Sequence, residues 1–361
     1  MRIALMHNNA DAALLRWALD YLRDSLVKHG HEAAIYDVNR DDFGTPDCMV
    51  WYRSFGALTL RTMANMKVKG VFQGFFIDDY LWQPGCKFST QWGMSDMFGD
   101  DILAMADAYI APSTHLLSHL PADKPHILRQ TVMGEEAIDV LSTPTDRHNR
   151  QTFNIGVLGG GGRKSHGVDI MSEIVNEIGR WATGNDHTIT LKYFSAKDTL
   201  QPAGWCRVER QNFFRPADWR GLYGRFVGMD LGCVLNVLDE SDEFCRCKSG
   251  LKWLESAAMG VPLVTSRVPP YTEFATDGKN LVLASSPSEF AARILELARN
   301  TKVATEIGDN AKRLMLTDFN CDGNAKRFAD DLVAAMNMKR RKDMMTLSEN
   351  AKPRKGRWWQ R

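Results

Sequence analysis

Lys248, Lys252, Glu255 and Met259 recur at spacings of four, three and four, so that a helix through them would carry two cations and a carboxylate on one face. That set has a defined chemistry. Two ammonium groups neutralise the oxygens of a diphosphate, and a neighbouring carboxylate accepts hydrogen bonds from the two vicinal hydroxyls of a ribose. The competing reading is an ordinary solvated face in which Lys252 and Glu255 form an i,i+3 ion pair. Leu251, Leu254 and Ala258 take the opposite, core-facing side. Gly260 stands where a helix end needs a residue tolerant of the left-handed region. Val261 to Thr265 then reads as a strand buried on both faces, and Pro269 and Pro270 end it.

A second group of candidates lies in FNIGVLGGGGRKSHGVDI, which starts at Phe153. Phe153 to Leu158 is a strand, Gly159 to Gly162 a loop, and Asp169 to Trp181 a helix. A glycine-rich turn from strand to helix lets backbone N–H groups approach phosphate oxygens, and the helix N-terminus adds its dipole. Gly160, Gly161 and Gly162 are the positions of closest approach, with Arg163 and Lys164 adding charge and His166 near the phosphate. The run is neither a Walker loop nor GxGxxG, and Asp169 also suits a helix cap. In the first half, Asp78 and Asp79 are adjacent at a strand end, so one of them can point into a cleft. Asp79 is the candidate for acceptor binding or for a general base, against a turn or capping role. No DxD motif is present, and no catalytic metal is expected. His115 could reach a donor sugar or sit on a helix surface. The acidic stretch Asn236 to Phe244 reads as a solvated loop, with a role towards an acceptor or sugar as the alternative.

The string KSGLKWLESAAMGVPLVTSRVPPYTEFATDGKN resembles the nucleotide-sugar-binding signature of the retaining GT-B glycosyltransferases, in particular the group 1 or family 4-like bacterial and phage branch. The residues that carry it are Lys248, Ser249, Leu251, Lys252, Leu254, Glu255, Ala258, Gly260 and Pro262. Ser165, His166 and Asp169 are similar to a pattern of the same branch, and the acidic pair at Asp78 and Asp79 followed by an aromatic has its counterpart there. The resemblance implies an α/β chain of the GT-B fold, with two Rossmann-like domains whose parallel sheets face each other across a cleft. It implies that Glu255 holds the donor ribose, that basic residues near it hold the diphosphate, and that the glycine loop cradles that diphosphate. It further implies a UDP- or GDP-linked sugar donor as co-substrate, no other cofactor, retention of anomeric configuration and no protein nucleophile. Many relatives carry a second glutamate eight positions before the first, and it contacts the donor sugar; here Cys247 stands in its place. Related chains often have asparagine where Cys245 stands.

These groups need two sheets to position them. The 361 residues suit two domains, and 44% hydrophobic content suffices for two cores. Arg2 to Met6, a helix over Ala12 to His29, and Ala33 to Tyr36 form a β-α-β opening. It predicts a parallel, doubly wound sheet with His7 to Asn9 at a carboxyl edge, where ligands sit. Cys48 to Tyr52, Gly70 to Ile77 and Ala106 to Ala111 continue it. The glycine pair of a dinucleotide site is missing, which argues against NAD. Leu141 to Gln151 is polar and reads as a linker, giving a first domain over 1–145 and a second over 152–336. In the second, Thr188 to Phe194, Trp205 to Val208 and Gly232 to Leu235 are strands. Pro216 to Phe226, Pro287 to Arg299, Lys302 to Met315 and Asn324 to Met336 are helices.

A basic tail closes the chain over 337–361. Lys339 to Arg361 holds nine Lys/Arg against two acidic residues, a charge of +7 in a chain whose total is +1. With Trp358 and Trp359 it suits contact with nucleic acid or an anionic membrane surface, or a disordered solubilising role. The acceptor is accordingly expected to be a surface glycan or lipid-linked saccharide, or else a modified base in DNA. A non-catalytic binding protein on the same scaffold is the reading Cys247 permits. Seven cysteines without paired CxxC spacing, no leader segment and no run of about 20 apolar residues point to a reduced, cytoplasmic protein, peripheral to a membrane or in a host cytoplasm if phage-encoded.

Overall fold

The computed structural model describes residues 1–8, 13–39, 41–80, 96–142, 152–158, 165–182, 188–195, 207–212 and 219–350. Its first half runs β1 (Arg2–His7), α1 (Ala13–Lys28), β2 (Glu32–Asp37), β3 (Cys48–Tyr52), α2 (Ala57–Val68), β4 (Phe72–Phe76), α3 (Asp96–Met105), β5 (Ala108–Ala111), α4 (Thr114–Ser118), β6 (His126–Leu128) and α5 (Glu135–Leu141). The second runs β7 (Thr152–Val157), α6 (Ser165–Ala182), β8 (Thr188–Ser195), β9 (Arg207–Asn212), α7 (Trp219–Gly228), β10 (Cys233–Asn236), α8 (Glu243–Arg246), α9 (Leu251–Met259), β11 (Leu263–Thr265), α10 (Pro269–Thr272), β12 (Val282–Leu283), α11 (Pro287–Arg299), α12 (Thr301–Asp318) and α13 (Cys321–Asn350).

Each half builds one six-stranded sheet, in the orders β2-β1-β3-β4-β5-β6 and β12-β11-β10-β7-β8-β9, and every ladder is parallel. Strands such as Met49-Val50-Trp51 and Val234-Leu235 are buried throughout, as parallel strands covered on both faces must be. The strand order reverses between β1 and β3 in one sheet and between β7 and β10 in the other. Those two reversals open the crevices at the carboxyl ends where α/β sheets take ligands.

Several expectations shift in detail. Residues 207–212 supply β9, later than the predicted strand at Trp205 to Val208. β6 has only three residues, too few to announce itself by pattern. Pro269 and Pro270 do not merely end a strand: they occupy the first turn of α10, where a missing N–H costs nothing and the fixed φ suits a helix.

The last helix departs most. It runs from Cys321 to Asn350, so Lys339, Arg340, Arg341 and Lys342 are helical rather than part of a loose tail. Its buried face, Ala325, Phe328, Ala329, Leu332, Ala335 and Met336, packs into the cluster of Ile3 and Leu5 of β1 and Leu19, Leu22 and Leu26 of α1. In the other direction, Met133, Ala137 and Leu141 pack into the core formed by Tyr223, Trp253, Leu254 and Ala258 of the second half. Each half is thus covered partly by chain from beyond the other's sheet. The stretch read as a linker from Leu141 begins too early, since Leu141 ends α5 in that core and Ser142 is its C-cap; residues 143–151, and the end of the basic segment with its two tryptophans, lie outside the described residues.

Candidate functional site

The helix that carries Lys252 and Glu255 begins at Leu251, not before it. Ser249 and Gly250 are weak helix formers, and Gly250 serves as the N-cap, its backbone closely approached by the Phe274 ring. Lys248 therefore lies in the turn between α8 and α9, and the predicted face through Lys248, Lys252 and Glu255 does not exist as one helical surface. α9 ends as the sequence predicts. Gly260 has φ of 65°, its N–H donates to Ala257 O, and Val261 N–H donates to Ser256 O. These are the paired bonds of a Schellman motif.

α9 is buried nearly all round, from Trp253 to Met259. Trp253 donates through Nε1 to Asn280 O at 2.9 Å and packs on Phe274 and Phe319. Glu255 is only 1% exposed. Lys252 Nζ donates to its Oε2 at 2.6 Å, and the Tyr223 hydroxyl lies 3.5 Å from Oε1. Burial holds the Glu255 carboxyl above its usual range, with Lys252 and Tyr223 pulling it down. Lys252 and Glu255 thus form an i,i+3 ion pair. A ribose would have to take up oxygens that Lys252 and Tyr223 now hold.

Lys248 points the other way, towards the first half. Its Nζ donates to Asp79 Oδ1 at 2.9 Å and sits 3.7 Å from the centre of the Phe244 ring. Arg53, just past β3, spans both aspartates that follow β4. Its Nε lies 3.1 Å from Asp78 Oδ1, and its Nη2 donates to Asp79 Oδ2 at 3.2 Å. Arg53 has a φ of 45°, an uncommon left-handed backbone for a side chain of its size. Burial raises the Asp78 carboxyl, and the Arg53 charge opposes that rise. Asp79 is therefore shared between cations of the two halves, Arg53 and Lys248. Residue spacing gave no sign of Arg53, because three strand-end residues come together only when β3 and β4 pair.

A second set of contacts crosses the halves beside it. His115 Nε2 and His119 Nε2 both meet Glu243 Oε1, the latter at 2.8 Å. Burial works to raise the Glu243 carboxyl, but the bonds from the two histidines prevail and hold it below its usual value. The acidic stretch before α8 thus resolves into separate jobs. Asp239 accepts from Ser241, Asp242 caps α8, Glu240 accepts from Arg267 N, and Glu243 faces the histidines. Cys247 is fully buried next to them, its thiol pushed up to about 12 by burial.

His7 ends β1 beside the reversal between β1 and β3, and Asn8 Nδ2 donates to Phe55 O at 2.6 Å. β7 ends next to the second reversal, and His166 falls in the first turn of α6. Gly160, Gly161, Gly162, Arg163 and Lys164, the expected phosphate cradle, lie outside the described residues, as does Asn9. Among the described residues no helix is long and apolar enough to cross a membrane.

Residues 188–330 match the family model described as glycosyl transferase-like. Among curated proteins, none matches the sequence. Solved structures do. HepE of Anabaena in complex with UDP aligns with a TM-score of 0.59 at 13% identity, over 92% of this chain and 100% of its own. Sucrose-phosphate synthase of Thermosynechococcus elongatus aligns at 0.60 and 12% identity, over 93% and 100%. An alpha-glucosyltransferase in complex with UDP and a 13-mer DNA containing a HMU base aligns at 0.62 and 11%, over 92% and 99%. The fold is GT-B, and the segment carrying Lys248, Lys252 and Glu255 is glycosyl transferase-like in sequence.

Proposed function

We propose that this GT-B chain is a retaining glycosyltransferase that moves a sugar from a nucleotide-sugar donor, UDP- or GDP-linked, to an acceptor hydroxyl. The observation that carries the reading is the family match over 188–330, because it covers the half in which Lys248, Lys252 and Glu255 stand. HepE, similar in fold over its whole length, has been seen with UDP, which favours UDP as the nucleotide.

In this reading the leaving diphosphate accumulates negative charge, and preorganised cations and backbone N–H groups stabilise it. Arg163 and Lys248 supply cations, with Lys164 and His166 beside the backbone of Gly160, Gly161 and Gly162. Glu255 takes the ribose hydroxyls once Lys252 turns from the carboxylate to a phosphate oxygen. Asp79 works on the acceptor side. Donor binding would draw Lys248 off Asp79, so the ion pair between the halves is exchanged for one with the diphosphate. No protein nucleophile is assigned, the acceptor attacking on the leaving-group face.

The acceptor is a surface glycan or lipid-linked saccharide handled in the cytoplasm. A second reading, a DNA acceptor, is favoured by one observation. Lys339, Arg340, Arg341 and Lys342 extend α13 as a largely exposed basic end, a footprint suited to a polyanion. The third reading, a non-catalytic binding protein, has Cys247 in its favour.

A thermal-shift screen with UDP, GDP, CDP and their sugars, with and without duplex DNA, tests these together. A ligand at 100 times its Kd stabilises by about 2.7 kcal/mol. A shift with one nucleotide names the donor, and a further shift with DNA moves the acceptor from glycan to DNA. No shift with any nucleotide would leave the non-catalytic reading standing. The anomeric configuration of the product, read by NMR, tests retention.

A further inference from the structure

The pairing of His115 and His119 with Glu243 and Cys247 is more than a salt bridge between halves. Each pair is spaced i,i+4, one along α4 and its C-cap, the other along α8 and its C-cap. That spacing brings both members of a pair to one side of a helical turn, and the two turns face each other. One ligand atom from each residue, two imidazole nitrogens, a carboxylate oxygen and a thiol sulfur, can be chosen so that all four lie within 4.8 Å of one another. Bonds of about 2.0–2.3 Å to a tetrahedral ion would set such atoms roughly 3.3–3.7 Å apart. The widest separations, up to 4.8 Å, would close by about 1 Å, while the two imidazole nitrogens, now hydrogen-bonded to Glu243 Oε1, would move out from it by about 0.5 Å or more as the metal replaces those bonds.

The surroundings hold these groups in place. Glu273, from the second half, accepts from Thr114 N, Thr114 Oγ1 and His115 N, which fixes the start of α4. The Tyr80 ring stacks on His119 at 4.7 Å, and Arg246 Nε lies 3.3 Å from the other oxygen of Glu243. Two imidazoles, a thiol and one carboxylate do not suit calcium or magnesium, which take oxygen ligands. They suit a borderline divalent transition metal of the zinc class.

We propose that His115, His119, Glu243 and Cys247 form a four-ligand site for a divalent transition metal of the zinc class, which fastens the two halves to each other. Two ligands come from each half. All four positions are protein side chains, so the site is closed and its role is structural rather than catalytic. Loading replaces protons by the metal. The Cys247 thiol releases its proton to solvent, and each histidine presents an unprotonated Nε2, its proton sitting on Nδ1 or leaving to solvent. The inference does not depend on the donor or the acceptor of the proposed reaction.

The test is titration of the full chain, stripped with a chelator, with Co²⁺ and then Zn²⁺. The expected result is one equivalent of cobalt with a thiolate-to-cobalt charge-transfer band, displaced by one equivalent of zinc. His119→Ala and Cys247→Ser should each weaken zinc binding by about 100-fold or more, comparable with or beyond losses seen when a supporting group is removed. Zinc should raise the melting midpoint of the wild type and not that of His119→Ala. Cys247 is buried, so its variant could misfold; His119 is partly exposed, and its variant then decides. Cobalt binding without the thiolate band, zinc affinity unchanged in His119→Ala, or no binding at all would overturn the site.

Discussion

Glu255 is a carboxylate sealed under one ammonium group, an arrangement that rarely stabilises a fold. Burial raises its carboxyl above the ordinary range even with Lys252 at 2.6 Å. The sign follows from linkage. A carboxyl raised in the folded state contributes stability that is fully present below its unfolded value, about 4.3, and is lost as pH rises through the folded value. At neutral pH the ionised form therefore works against the fold. Glu255→Gln should melt higher than wild type at pH 7, and the gap should narrow as pH falls towards 4–5; melts across that pH range check it, and a wild type that melts higher at pH 7 refutes it. The same variant should bind the donor nucleotide more weakly if the carboxylate takes the ribose. Greater stability with weaker binding is the signature of a functional group kept at a cost to the fold. Sequence spacing shows the Lys252–Glu255 pair, since both partners lie on one helix. It cannot show that Trp253 and Met259 are buried alongside, nor that Lys248 turns to Asp79, because those facts depend on what packs against α9 and where it starts.

At the scale of elements, α9 is held against α12 by a contact between two glycines. A Cβ added at Gly308, on α12, would fall 2.2 Å from Gly260 O and 2.6 Å from Gly260 C. Two effects compete in Gly308→Ala. Alanine favours a helix interior by about 1 kcal/mol, while overpacking against backbone that cannot swing aside costs typically 1–3 kcal/mol. With a carbonyl at that distance the clash should win, so the variant should unfold at lower denaturant concentration. A midpoint at or above wild type would mean that the helices separate at no cost. Gly260→Ala should also destabilise, by about 1 kcal/mol, because its φ of 65° is disfavoured for a side chain; urea melts give both values. Gly260 was legible as a helix stop because the capping rule is local. Gly308 was not: it sits inside a helix and its reason is a neighbour 48 positions away in sequence.

At the scale of the molecule, the chain's end holds its beginning. Phe328, Leu332 and Met336 of α13 are buried against the first sheet, and the Arg129 guanidinium lies 5.4 Å from the Phe328 ring while also facing Tyr52 and Phe76 at 5.7 and 5.3 Å. Arg129 is itself buried. A desolvated cation over a ring is worth about 2 kcal/mol, so Arg129→Ala should lower the melting midpoint markedly, measured by calorimetry. Burial of each large side chain of α13 contributes roughly 1.5–3 kcal/mol. Three such side chains approach the total of about 5–15 kcal/mol by which a domain is stable. A chain ending at Asn320 should therefore fail to keep its first half folded, visible as early unfolding in hydrogen exchange at β1 and β3. A chain ending at Lys339 keeps every one of those contacts, and also the Lys339 approach to Asp107 at 3.6 Å. Its melting midpoint should stay within a few degrees of wild type, while any affinity for DNA should fall and depend less steeply on salt, since fewer phosphate contacts are lost to counterions. The two truncations separate what the structure joins as one continuous helix into a part that belongs to the fold and a part that could meet a partner. If the longer chain melts as early as the shorter one, the basic end is structural and the DNA reading loses the observation that favours it.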